Sequence, residues 1–285
     1  MKSQFEEKSY ENYFNVELSN KSSFFYPPGQ VQEGFLGFDS AANSKSWNLW
    51  KSIGFPFWFF PHFKGANLRM IADEMENILN IEIENVPLMK ANILFQYKRS
   101  EYIKTSKGKE WSHWSRPYYR YDIYLRQQEL LMKIYAKFQH EILILYAAPA
   151  IHEMSELVNS FHDKQIINKS NFKKVQNLNN HYRNTFIQSG LNSVACSEPE
   201  RINNFDLISF LSDYQNVNNS ENNKEFIIDF SRKIREVLIE DKVYNEMFET
   251  LNKPYEKIKI NKLLYNFIIL SNFKLLTGIQ WLIKI

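Results

Sequence analysis

The segment EILILYAAP (141–149) is, after Glu141, an unbroken apolar run of strand length that stops at a proline. A strand with one wet face alternates apolar and polar residues. A strand covered on both faces does not, and this is the pattern of parallel sheets packed between helices. The run therefore predicts an interior strand. Upstream, residues 91–98 and YYRYDIYL (118–125) read as strands, and RQQELLMKIYAKFQ (126–139) reads as a helix with Leu130, Leu131, Ile134, Tyr135 and Phe138 on its inner stripe. Strand, strand, helix, buried strand is the order of an α/β protein.

The chain has 285 residues, 44% of them hydrophobic, enough for one large domain or for a core with a second lobe. Tyr10, Tyr13, Phe14 and Leu18 predict a helix over 5–18, and Met70, Ile71, Met75 and Leu79 one over 67–80. Residues 26–30 read as a turn, about 37–43 as a strand and 54–65 as an aromatic loop between prolines. Helices are expected at 151–161, 170–180 and 204–214, and a linker at 216–223. The division expected is 1–150, with an insertion at 44–90, and a mainly helical accessory or interface region at 151–285. The apolar tail 263–285 carries Asn266, Asn272, Lys274 and Gln280, so it reads as a core or interface helix and not a membrane span. The single cysteine, Cys196, fits a reducing compartment, and the polar start is unlike a signal peptide. A cytoplasmic protein with no membrane partner is the expectation.

Chemistry concentrates in NILFQYKRSEYI (92–103). Alternation puts Ile93, Phe95 and Tyr97 on one face of the strand and Leu94, Gln96 and Lys98 on the other. That second face begins apolar and ends in an amide and an ammonium. A lysine at the end of a buried strand is costly unless it is paired or catalytic. Upstream, QEGFLGFDS supplies Glu33 and Asp39 in a glycine-marked, otherwise apolar segment. Carboxylates, a polar residue and a lysine two positions on suit metal-dependent phosphodiester hydrolysis. Mg2+ (or Mn2+) polarises the phosphoryl oxygen, and the lysine orients or activates water or neutralises the transition state.

This arrangement resembles the PD-(D/E)xK restriction-endonuclease-like nucleases, and its Gln-x-Lys variant resembles their Mrr-like branch. The resemblance covers roughly residues 28–150. It implies a central mixed sheet flanked by helices, with Asp39 and Gln96 as metal ligands, Lys98 as the catalytic lysine, and Glu33 as the upstream glutamate completing the site. It also implies an endonuclease in bacterial restriction or anti-phage defence.

The segment 98–120 carries seven Lys and Arg residues against two Glu. Arg99, Lys104, Lys107, Lys109, Arg116 and Arg120 are candidate phosphate contacts, and Trp111 and Trp114 candidate base-stacking rings. The opposing reading is a solvated hairpin loop with two packed tryptophans. The whole chain is only mildly basic, with net charge +3 and a pI near 8.6, so such a surface must be local. DNA is the expected partner, with RNA chemically compatible. Gln128 and His152 are weaker candidates for the site's edge. Apolar stripes in 224–285 predict burial against the nuclease domain, a second copy or a partner defence subunit. The rival function is an inactive nuclease-fold module that binds nucleic acid or a protein.

Overall fold

The structure, a computed structural model, describes residues 1–22, 24–25, 47, 51, 68–188, 192–214 and 222–285. It is a mixed α/β protein with two sheets flanked by helices, and the chain divides into two compact units. The first comprises Met1–Phe25, Ala91–Val217 and Ile279–Lys284; the second comprises Tyr26–Lys90, Asn218–Gly278 and Ile285. The expected boundary at residue 150 therefore falls inside the first unit, which continues well beyond it. The expected turn at 26–30, the strand near 37–43, the aromatic loop and most of the 216–223 linker lie outside the described residues.

The first sheet runs β1 (Phe24–Phe25), β10 (Gln280–Lys284), β2 (Ala91–Tyr97), β5 (Ile142–Pro149) and β6 (Ser170–Lys174). Strands β2 and β5 are parallel, with Gln96 opposite Tyr146; β10 is antiparallel to β2, with Gln280 opposite Phe95. Every residue of β2, β5 and β10 is buried. The apolar run 142–149 is thus an interior strand. Helix α1 (Glu7–Lys21) covers one face: Phe14 meets Phe95 and Tyr97 with ring centres 5.5 Å apart, and Tyr10 meets Tyr97 at 5.8 Å. Each such buried aromatic contributes about 1.5–3 kcal/mol. The same helix is pinned polarly, because the buried Glu17 carboxylate accepts the Ile166 and Ile167 amides at 2.7 and 3.3 Å.

The second sheet is antiparallel throughout, in the order β3 (Glu101–Ile103), β4 (Tyr118–Asp122), β7 (Arg183–Phe186), β8 (Asn192–Cys196) and β9 (Glu200–Asn203). The region 151–285 is therefore not mainly helical over its first third. The helix expected at 170–180 is β6 followed by a 3-10 turn, Val175–Leu178. The reason is polar. Asn171 and Lys173 project to one side of β6, where Asn171 Nδ2 donates to Ser193 Oγ (2.9 Å) and Lys173 Nζ to the Asn203 carbonyl (2.9 Å) and Asn204 Oδ1 (2.6 Å). The strand's period of two turns Phe172 the other way, into the core.

Between the sheets' strands lie α3 (Trp111–Trp114), after α2 (Leu68–Asn85) of the second unit, then α4 (Leu125–Phe138), α5 (Met154–His162) and α6 (Leu207–Asp213). The described part of the second unit is helical: α2, α7 (Asn223–Glu240), α8 (Tyr244–Asn252) and α9 (Lys262–Thr277). Ile227, Ile234, Val237, Leu238 and Phe248 are buried, while Val243 and Met247 of the same stripes are exposed. Glu76 of α2 accepts the Leu263 and Leu264 amides, satisfying donors that the start of α9 leaves open. The tail expected as one helix is α9, closed by Gly278 in the left-handed region (φ 71°), and then β10.

Candidate functional site

Lys98 is the residue after β2. Its amide still donates to the Ala147 carbonyl (2.9 Å), so its side chain leaves the sheet on the Leu94–Gln96 face, at the carboxyl end of the parallel pair. Ligands of α/β sheets bind outside such strand ends. Helix α4 lies over this face. Gln127, in its first turn, accepts from Lys98 Nζ at 2.5 Å and donates from Nε2 to Gln96 Oε1 at 2.7 Å. The Gln96–Gln127–Lys98 chain fixes both residues of the Gln-x-Lys pair. The neighbouring Gln128 is buried, takes a hydrogen bond from the Tyr146 hydroxyl (2.7 Å) and donates to the Val175 carbonyl, so it braces the floor of the site. The Tyr124 and Tyr146 rings stand 4.7 and 5.6 Å from Lys98 Nζ.

Lys98 is only 5% exposed, and burial pulls its ammonium down from 10.5 to about 8, against the opposing pull of Glu7 and Asp122. Glu7, in the first turn of α1, has its carboxyl pushed up by burial, while Lys98 is the largest influence in the other direction. This carboxylate was not anticipated from sequence. Glu7 follows Glu6 at the start of a helix whose Tyr10 and Phe14 pack against Tyr97, the residue before Lys98, and no sequence signal sets it apart from its neighbour.

Asp39 and Glu33 lie outside the described residues. Among the described residues no cluster of three or more His, Cys, Asp or Glu is placed to hold a metal ion. Two described carboxylates act on Lys98, those of Glu7 and Asp122; Asp122 is bound to Arg183 at 2.7 Å, which leaves Glu7 and the Gln96 amide oxygen. Mg2+ keeps several of its waters and is commonly held through one or two carboxylates together with substrate phosphate.

The basic segment separates into two groups. Arg99 is bound to Glu6 (3.1 Å) and to the Ser3 carbonyl, and Arg120 to Glu101 (3.0 Å) and Glu110 (3.3 Å). Trp114 donates from its indole to Thr185 Oγ1 (3.1 Å), and Trp111 stands edge-on to Tyr118; both are half-buried. Lys104, Lys107, Lys109 and Arg116 are exposed. Their loop is seated by Gly108, where a Cβ would come within 2.5 Å of Ile103 and 2.6 Å of the Tyr118 hydroxyl. It is anchored by Glu110, 4% exposed, which accepts from Tyr118 (2.9 Å), Arg183 (2.7 Å) and Arg120. His152 stacks on Tyr102, with ring centres 4.3 Å apart.

No helix among the described residues is long and apolar enough to cross a membrane. No family model, no curated protein and no solved structure matches the chain.

Proposed function

We propose that the chain is a phosphodiester hydrolase acting on nucleic acid, with Lys98 as its catalytic lysine and Gln96 and Glu7 acting on it; Asp39 and Glu33 are proposed as metal ligands on the family resemblance alone. The observation that carries this reading is the buried, depressed lysine held by Gln127 at the carboxyl end of β2. A lysine that only snorkels from a strand end would reach into solvent. This one is turned inward, and in that environment its neutral form is accessible near physiological pH, as a group that accepts a proton from water requires. The exposed cations of the 104–116 loop belong to the same unit and support phosphate binding. Mg2+, if bound, would stabilise the phosphoryl charge and acidify the attacking water. Restriction or phage defence in the cytoplasm is proposed on the family resemblance alone.

The test is cleavage of plasmid DNA, single-stranded DNA and RNA by the purified chain, with and without Mg2+ or Mn2+. Cleavage that Lys98→Ala abolishes, with nucleic-acid affinity changed less than about threefold, is the expected result, because many other cations hold the backbone. Unchanged cleavage by a folded Lys98→Ala protein overturns the role. Binding without cleavage under every metal condition assigns the inactive-module reading.

A further inference from the structure

We propose that Tyr124, at the entrance to the Lys98 site, is a platform on which an unpaired base stacks, so that the site takes single-stranded nucleic acid in preference to duplex. This rests on the phosphodiester-hydrolase reading and adds the substrate class to it. Tyr124 is 68% exposed, and the adjoining Leu125 is 73% exposed. Two large apolar side chains left in water at the mouth of a polar site need a reason. The tyrosine is the N-cap residue of α4, and one face of its ring looks at Lys98 Nζ from 4.7 Å. The other ring near that ammonium, Tyr146, is fully buried and holds a hydrogen bond to Gln128. Tyr124 is therefore the aromatic surface that a ligand of Lys98 would meet from solvent.

The surroundings suit a nucleotide. The first turn of α4 has no acidic residue and no side-chain cap on its amides, and Arg126 in that turn is exposed. A phosphate at Lys98 would find partial positive charge from the helix start beside it. Its base would lie against the ring of Tyr124. Bases in a duplex are stacked and paired, and their faces are closed to a side chain. In a single strand each face is open, and stacking on an aromatic is sequence-tolerant. The preference follows from the position of the ring and needs no base-edge contact.

The competing explanation is that Tyr124 only shields Lys98 from water. The two make different demands. Fluorescein-labelled single-stranded and duplex oligonucleotides of one sequence are titrated with the full chain in EDTA, so that no turnover occurs, for the parent, Tyr124→Ala and Tyr124→Phe. The expected result is tighter binding of the single strand by the parent. Tyr124→Ala should lose about 5- to 150-fold on the single strand and less than about twofold on the duplex, with Tyr124→Phe like the parent. A 2-aminopurine base in the strand should be quenched by the parent and not by Tyr124→Ala. Equal losses on both substrates, or none on the single strand, overturn the platform. If the parent cleaves nucleic acid and Tyr124→Ala binds the single strand as well as it does, only this inference fails. If the parent neither binds nor cleaves any nucleic acid with Mg2+ or Mn2+, the hydrolase reading fails and takes the inference with it.

Discussion

Lys98 holds its proton under opposing influences. Burial expels the charge, while Glu7 and Asp122 retain it. Between about 8 and the ordinary 10.5 the unfolded chain binds a proton that the folded chain has released. The lysine's contribution to stability therefore rises with pH across that window and is lost as pH falls through about 8. If Lys98 must be neutral to take a proton from water, the single-turnover cleavage rate should rise with pH and level off above about 8. Glu7→Gln removes a charge that retains the proton, so the rising limb should move to lower pH. Lys98→Arg, which stays charged throughout, should show no such limb. A pH–rate profile for the three proteins decides this, and a limb that ignores Glu7→Gln would separate the titration from Lys98. Glu110 calls for a different measurement. It is buried among Tyr118, Arg183 and Arg120, so Glu110→Ala leaves a hydroxyl and two guanidinium groups short of an acceptor. A loss of about 2–4 kcal/mol in urea denaturation is expected. Of the site itself, Gln96 and Lys98 were legible because alternation along a strand is a local rule. Gln127 and Glu7 were not. Their approach to Lys98 depends on how α4 and α1 dock on opposite faces of the sheet, and nothing in their own neighbourhoods marks it.

Among the elements, those whose burial follows a simple period were readable: α1, α2, β2, β4, α4 and β5 all stand within a few residues of where the pattern puts them. Two kinds were not. Strand β6 hides its alternation because both its faces are buried and the residues opposite Phe172, Asn171 and Lys173, are polar and satisfied by Asn204 and the backbone of β9. Strand β10 follows a strongly apolar helix, and its partner β2 is far upstream, so no local window shows the pairing. The 104–116 loop stands between these cases. Its charge was plain from sequence, but which cations face solvent was not, since Arg99 and Arg120 are taken by Glu6, Glu101 and Glu110. The expectation for nucleic-acid binding belongs to the exposed residues. Reversing Lys104, Lys107 and Lys109 to Glu should weaken binding alike for all sequences and reduce the slope of log K against log salt by about 2–3, roughly one for each phosphate no longer neutralised. An unchanged slope would remove the loop from the interface.

At the scale of the molecule, the first unit is assembled from three stretches of chain, and its last stretch is only Ile279–Lys284. Those residues are structurally central. Strand β10 lies between β1 and β2 and pairs with both. Trp281 is fully buried and donates from its indole to Asn92 Oδ1 at 2.8 Å, and Lys284 Nζ donates to the Ser212 and Tyr214 carbonyls at 2.9 and 2.7 Å. Without β10, one edge of β2 is left with unpaired backbone groups in the interior, each costing about 1–3 kcal/mol. Leu282 and Ile283 add the loss of about 1.5–3 kcal/mol apiece from burial. Those costs together are comparable with the whole stability of a typical domain, about 5–15 kcal/mol. A chain ending at Gly278 should therefore lose the fold of the first unit, and with it the Gln96–Gln127–Lys98 site, although it retains every residue of that site. Near-ultraviolet circular dichroism and thermal melting measure this directly. A truncated protein that melts cooperatively and binds nucleic acid like the parent would show that β2 stands without its antiparallel neighbour. Adding the missing strand as a synthetic peptide supplies the complementary test: if sheet closure is what is lost, the peptide should restore part of the binding, while a peptide with Trp281→Ala should restore less, because its side chain no longer reaches Asn92.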